Sequence, residues 1–191
     1  MRNHFLVLAV AFLIAFCNTT SGQARTHGRV EGNTYVDSRF GLRYTFPGFL
    51  ETQASLNGMP VGTGEKVGAS EFLLDAMEKP NGQIRSGVFI TSDEKGALGA
   101  TNARQFLILM LAQAMRVKGE PDIRSTTIAG RTFYRSDVGG GGSVHFYGAQ
   151  LATDCNGHYL VFWFSAGSSE KMEGLVRSMN EMEMKCSASI Q

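Results

Sequence analysis

Asp154-Cys155-Asn156-Gly157-His158-Tyr159-Leu160-Val161-Phe162-Trp163-Phe164-Ser165-Ala166 is the stretch on which the fold turns. Asn-Gly between two apolar runs is the strongest short-range hairpin signal, because both residues tolerate positive φ. The run His158 to Ala166 is almost continuously apolar and rich in β-formers, so it predicts a central strand covered on both faces. Its partner strand is Ser143 to Thr153, preceded by a loop from Asp137 through Gly139-Gly140-Gly141-Gly142. Further upstream, Ile123 to Arg135 holds two apolar clusters about Ala129-Gly130, and the last third reads as an antiparallel meander. Downstream, Ser168 or Ser169 caps a helix whose Met172, Leu175, Val176 and Met179 form one stripe.

The first half adds strands and one long helix. Phe40, Leu42, Tyr44 and Phe46 alternate with Gly41, Arg43 and Thr45, the pattern of a strand with one buried face, and Pro47 ends it. Tyr35-Val36 is joined to it through Asp37-Ser38-Arg39, read as a turn. Leu50 to Gly68 is glycine-rich and reads as loop. Glu71 to Glu78 and Gln83 to Thr91 flank Asn81-Gly82 as a second hairpin, with a short helix over Ser70 to Met77 as the alternative. Thr101 to Lys118 is a helix with Thr101 or Asn102 as cap and Gly119-Glu120-Pro121 as stop. Ala103, Phe106, Leu107, Met110, Ala114 and Val117 make its apolar stripe. The opposite side also carries Ile108, Leu109, Ala112 and Met115, so the helix is either buried on two sides or offers a surface to a partner.

Met1 to Ala24 sets the location. Arg2 is followed by the apolar run Phe5 to Cys17 and then small polar residues to Gly22-Gln23-Ala24. A dozen apolar residues is shorter than the roughly 20 that span a bilayer, and suits a signal peptide cleaved after Ala24. A short membrane anchor, or a lipoprotein using Cys17, fits less well, since Phe16 stands where lipidation wants a small residue. Cleavage leaves 167 residues, with 17 basic and 17 acidic side chains. That length suits one domain, and the balanced charge argues against nucleic-acid binding. No later stretch is long enough for stable membrane insertion. The expected organisation is a signal peptide 1–24, a tether 25–33, one α+β domain 34–187 and a tail 188–191, secreted or periplasmic.

Export changes how the cysteines read. The mature chain holds Cys155 and Cys186, an even number in an oxidising compartment. From Cys155 the strand runs about 30 Å away from its turn; the helix returns about 18 Å and an extended tail about 16 Å more. If the helix packs antiparallel to the strand, Cys186 arrives beside Cys155. A disulfide there would stabilise the fold by roughly 3–4 kcal/mol.

The order of elements resembles the PsbP-like superfamily. Tyr35 to Pro47 reads Tyr-x(4)-Phe-x-Leu-x-Tyr-x-Phe-Pro, and a hairpin and a long helix follow. Then come Ile128-Ala129-Gly130-Arg131, two strands about Asn156-Gly157 and a terminal helix near Met179. The resemblance spans about 35–185 and implies an antiparallel sheet with helices packed against it. It also implies a non-enzymatic binding or assembly role. No photosystem or metal-binding residue carries over position by position.

Catalytic signatures are absent from the sequence. The mature histidines are His27, His145 and His158, with no His-Glu-x-x-His and no Gly-x-Ser-x-Gly. Gly139 to Gly142 leads to Ser143 without the lysine of a phosphate-binding loop. Cys155 and His158 would make a nucleophile and base only if the thiol were free. The expectation is therefore an exported binding module without cofactor or resident metal, contacting a protein through Ile108, Leu109 and Met115, most simply as a homodimer. Two alternatives stand beside it. Met179, Met182 and Met184, with His158 and the cysteines, are soft ligands suited to Cu(I), although methionines also fill cores. The other is an enzyme of unrecognised type with a site in loops 50–70 or 137–143.

Overall fold

A computed structural model of the chain describes residues 28–52, 66–67, 70–79, 86–115, 121–139 and 146–186. The segments expected as signal peptide (1–24) and tail (188–191) lie outside them. So does most of the turn about Asn81-Gly82.

Three short strands, β1 (Gly28–Glu31), β2 (Thr34–Asp37) and β3 (Leu42–Thr45), form a small antiparallel sheet in that order. The large sheet is also antiparallel. Its strands are β4 (Leu50–Thr52), β5 (Lys66–Val67), β6 (Ser70–Glu78), β7 (Gly87–Glu94), β8 (Arg124–Ile128), β9 (Arg131–Gly139), β10 (Tyr147–Cys155) and β11 (His158–Ala166). They run β4-β6-β7-β11-β10-β9-β8, with β5 against β6. Two helices, α1 (Ala103–Met115) and α2 (Ser169–Arg177), complete the α+β architecture.

β11 sits between β7 and β10 at the centre of the sheet, where its unbroken apolar run requires it. Leu160, Phe162 and Phe164 enter a core shared with the small sheet and α2, where Tyr44 and Phe133 meet Phe162 edge-on at 6.0 and 5.9 Å. Tyr159 and Val161, on the opposite face, join Ala152 under Phe106, Leu107 and Leu111 of α1. Phe106 lies stacked on Tyr159 at 4.7 Å. The Ser168 hydroxyl caps α2 by accepting from the Lys171 amide, and Met172, Leu175, Val176 and Met179 are all buried.

Several boundaries differ from the expectations. The tether 25–33 is corrected in its described part: Gly28–Glu31 is β1, paired residue for residue with β2. Four residues are too few to show a period, and Gly28 is needed because a Cβ there would lie 2.1 Å from the Tyr35 hydroxyl oxygen. The loop 50–68 contains β4 and β5, short edge strands held by β6 rather than by their own propensity. Residues 70–77 are strand, not helix; a register shift between Phe72 and Leu74 buries both Leu73 and Leu74 and so blurs the alternation. β9 continues through Asp137 to Gly139, where the sequence suggests a loop, because β10 pairs with Tyr134 to Gly139.

Candidate functional site

Alternation along β2 turns Tyr35 and Asp37 inward, and the polar centre of the molecule grows from there. Asp37 is fully buried and accepts four hydrogen bonds: from the Arg39 amide at 2.9 Å, Arg39 Nε at 3.3 Å, Arg39 Nη2 at 2.8 Å and the Tyr35 hydroxyl at 3.2 Å. Arg39 Nη1 donates to Glu71 of β6 at 2.8 Å, so one guanidinium joins two carboxylates and two sheets. Burial, with Asp37 adding to it, pushes the Tyr35 hydroxyl well above the usual tyrosine range.

The β10–β11 turn closes on this centre. The Asn156 amide donates to the Arg39 carbonyl at 2.7 Å, and the Phe40 ring meets His158 edge-on at 5.4 Å. His158 Nδ1 and Ser92 Oγ lie 3.2 Å apart. The C-terminal segment lies along β3: Arg43 and Glu183 exchange backbone hydrogen bonds, and the Lys185 amide donates to the Phe40 carbonyl. Cys155 and Cys186, 31 residues apart, are thereby brought to a Cα separation of 4.8 Å and a sulfur separation of 1.95 Å.

The chemistry open to this cluster is limited by access. Ser92 is 2% exposed and Cys155 likewise 2%, so neither presents a nucleophile to a substrate. Asp93, on the other face of β7, accepts from the Ser70 hydroxyl at 2.7 Å, and burial raises its pKa. Arg135 bridges β9 and α2 through Asp137 and Glu173, and that pairing holds the Glu173 carboxyl below its ordinary range. Arg135 and Asp93 are buried and tie elements together, while Asp137 and Glu173 meet Arg135 from the surface.

Met179 and Met182 are buried in the first core, with Met184 and Cys186 packed against it; Glu183 and Lys185 between them point outward. Among the described residues no group of three or more His, Cys, Asp or Glu is arranged to hold a metal ion. Of the loop candidates, residues 53–65, 68–69 and 140–145 lie outside the described set. On α1, Ile108 is half-buried, and Leu109 packs against the cluster under the helix instead of facing outward. The Met115 side chain is outside the described set. Sequence reading misses two features. The turn expected at Asp37-Ser38-Arg39 is present, with the Gly41 amide donating to the Ser38 carbonyl, and it also carries the ion-pair clamp; the buried register of Tyr35 is a usable signal, but Glu71 is too distant in sequence to be paired with it. The second is Leu98, a 41% exposed leucine at φ +58° between Gly96 and Gly99, both also at positive φ.

Among the described residues no helix is long and apolar enough to cross a membrane. No protein-family model matches the chain, and no curated protein matches it. Among solved structures it is similar to the solution structure of cyanobacterial PsbP (CyanoP) from Synechocystis sp. PCC 6803, at 10% identity and a TM-score of 0.46. That similarity covers 88% of this chain and 99% of the other. No residue role passes across at that distance. The α+β class rests on the chain's own strands and helices.

Proposed function

We propose that the chain is an exported, non-enzymatic binding module of the cell envelope or extracellular space, contacting a protein partner. The proximity of Cys155 and Cys186 carries the reading, since a bond between them persists in an oxidising compartment. The absence of an enzymatic role is supported by the burial of Ser92 beside a half-buried His158 and by the engagement of Asp37, Arg39 and Glu71 with one another. The contact surface is best placed about Leu98 and Ile108. A leucine held at positive φ costs about 1–2 kcal/mol against glycine, and exposure adds to that cost, so the side chain is placed for something other than stability. A second copy is the simplest partner. Light scattering of the mature protein is expected to show a dimer for wild type and a monomer for Leu98→Glu; a monomer in both removes the dimer.

A further inference from the structure

We infer that residues 182–186 form a strap locked by the Cys155–Cys186 bond, which an external dithiol releases while the rest of the domain stays folded. The strap meets β3 in an isolated bridge between Arg43 and Glu183, not in a ladder. Arg43 and Glu183 exchange backbone bonds at 2.8 and 3.0 Å, and the Lys185 amide donates to the Phe40 carbonyl at 3.0 Å. Lys185 seats there only because residue 41 is glycine, where a Cβ would lie 2.6 Å from the Lys185 Cβ. Met182 alone of the strap is buried, with Met184 and Cys186 packed at the margin of the core. Arg131 Nη2 donates to the Cys186 carbonyl at 2.8 Å, and the Asn156 amide reaches the Lys185 carbonyl at 3.5 Å. Ordering five residues opposes docking, and hydrogen bonds made in exchange for bonds to water return only part of that cost. The covalent link therefore decides whether the strap stays.

The two sulfurs are unequal. Cys155 ends β10 inside the sheet at 2% exposure, whereas Cys186 is half-buried on the strap. An attacking thiolate consequently reaches the bond through Cys186. It joins the Cys186 sulfur, the bond to Cys155 breaks, and Cys155 leaves as a thiolate that takes a proton from water. The second thiol of the dithiol loses its proton and displaces Cys186, so two electrons pass to the protein and the reductant closes its own disulfide. The strap then hinges at Met182, whose amide donates to the Met179 carbonyl; Met179 is fully buried and stays with the domain. Release uncovers the outer edge of β3, with the Phe40 carbonyl and both backbone groups of Arg43, and the seat of Met182. The inference rests on the bond that the exported reading requires, and the strap can fail without that reading failing.

Amide hydrogen exchange of the mature protein, followed by NMR before and after treatment with dithiothreitol without denaturant, tests this. The amides of Arg43, Glu183 and Lys185 report on the strap, and that of Leu160 in central β11 reports on the domain. After reduction the three strap amides are expected to exchange roughly tenfold faster or more, with Leu160 unchanged. Strap amides that keep their rate, a rise shared equally by Leu160, or a bond that dithiothreitol leaves intact in the folded protein would each overturn the strap and leave the exported reading standing. Starting protein whose mass shows both thiols free would overturn the two together.

Discussion

Ala129, at φ +49°, and Gly130 at φ +74° close the β8–β9 hairpin in the conformation that Asn-Gly adopts most readily. Ala129 is exposed, so Ala129→Asn relieves backbone strain without disturbing a contact, and should stabilise by about 0.5–1 kcal/mol in urea unfolding. Asp93 gives a prediction that depends on pH. Its folded pKa is raised by burial, so the ionised form is disfavoured by folding at neutral pH. The penalty disappears as pH falls through the folded pKa towards the unfolded value, where both states are protonated. Asp93→Asn should therefore melt above wild type at pH 7, with the gap closing at acid pH; a gap independent of pH would contradict that origin. These residues also mark how far sequence reading reaches. Gly130 and Asn156-Gly157 announce their turns by type, whereas Asp37 and Gln150 look like ordinary polar residues until register places them inside.

At the scale of elements, the long periodic segments were legible and the short ones were not. β11 and the stripe of α2 follow from composition and spacing alone, because burial on a fixed face leaves a repeat over two or more turns. β1, β4 and β5 are two to four residues long and exist through their pairing with β2 and β6, so no local signal precedes them. The two sides of α1 divide differently from a strict helical wheel, since Leu109 and Met110 both pack towards the sheet. Leu109→Glu is consequently a poor probe of association: burying the carboxylate should cost about 1–3 kcal/mol of stability in the isolated chain. Leu98→Glu should leave the melting temperature close to that of wild type. The Ser168 cap makes a simpler test of α2, where Ser168→Ala should cost about 1 kcal/mol.

Across the whole molecule, the C-terminal segment binds the fold together. Residues 182–186 run along β3, seat Met182 in the core and deliver Cys186 to Cys155, while Arg131 donates to the Cys186 carbonyl at 2.8 Å. The sequence supports that meeting through the lengths of a strand, a helix and a tail, a sum that holds because the return path is antiparallel. The Asp37–Arg39–Glu71 clamp beside it joins segments 32 and more residues apart, and nothing local foretells it. Cys186→Ser should cost roughly 3–4 kcal/mol under oxidising conditions in the chain-entropy picture, and nothing once wild type is reduced as well. The most direct test of an exported, oxidised module is mass spectrometry of the protein recovered from its native cells, with thiols trapped before digestion. The account predicts a chain beginning at Arg25, found outside the cytosol, with Cys155 and Cys186 in one linked peptide pair. Full-length protein beginning at Met1, recovered from the cytosol with both thiols free, would contradict it.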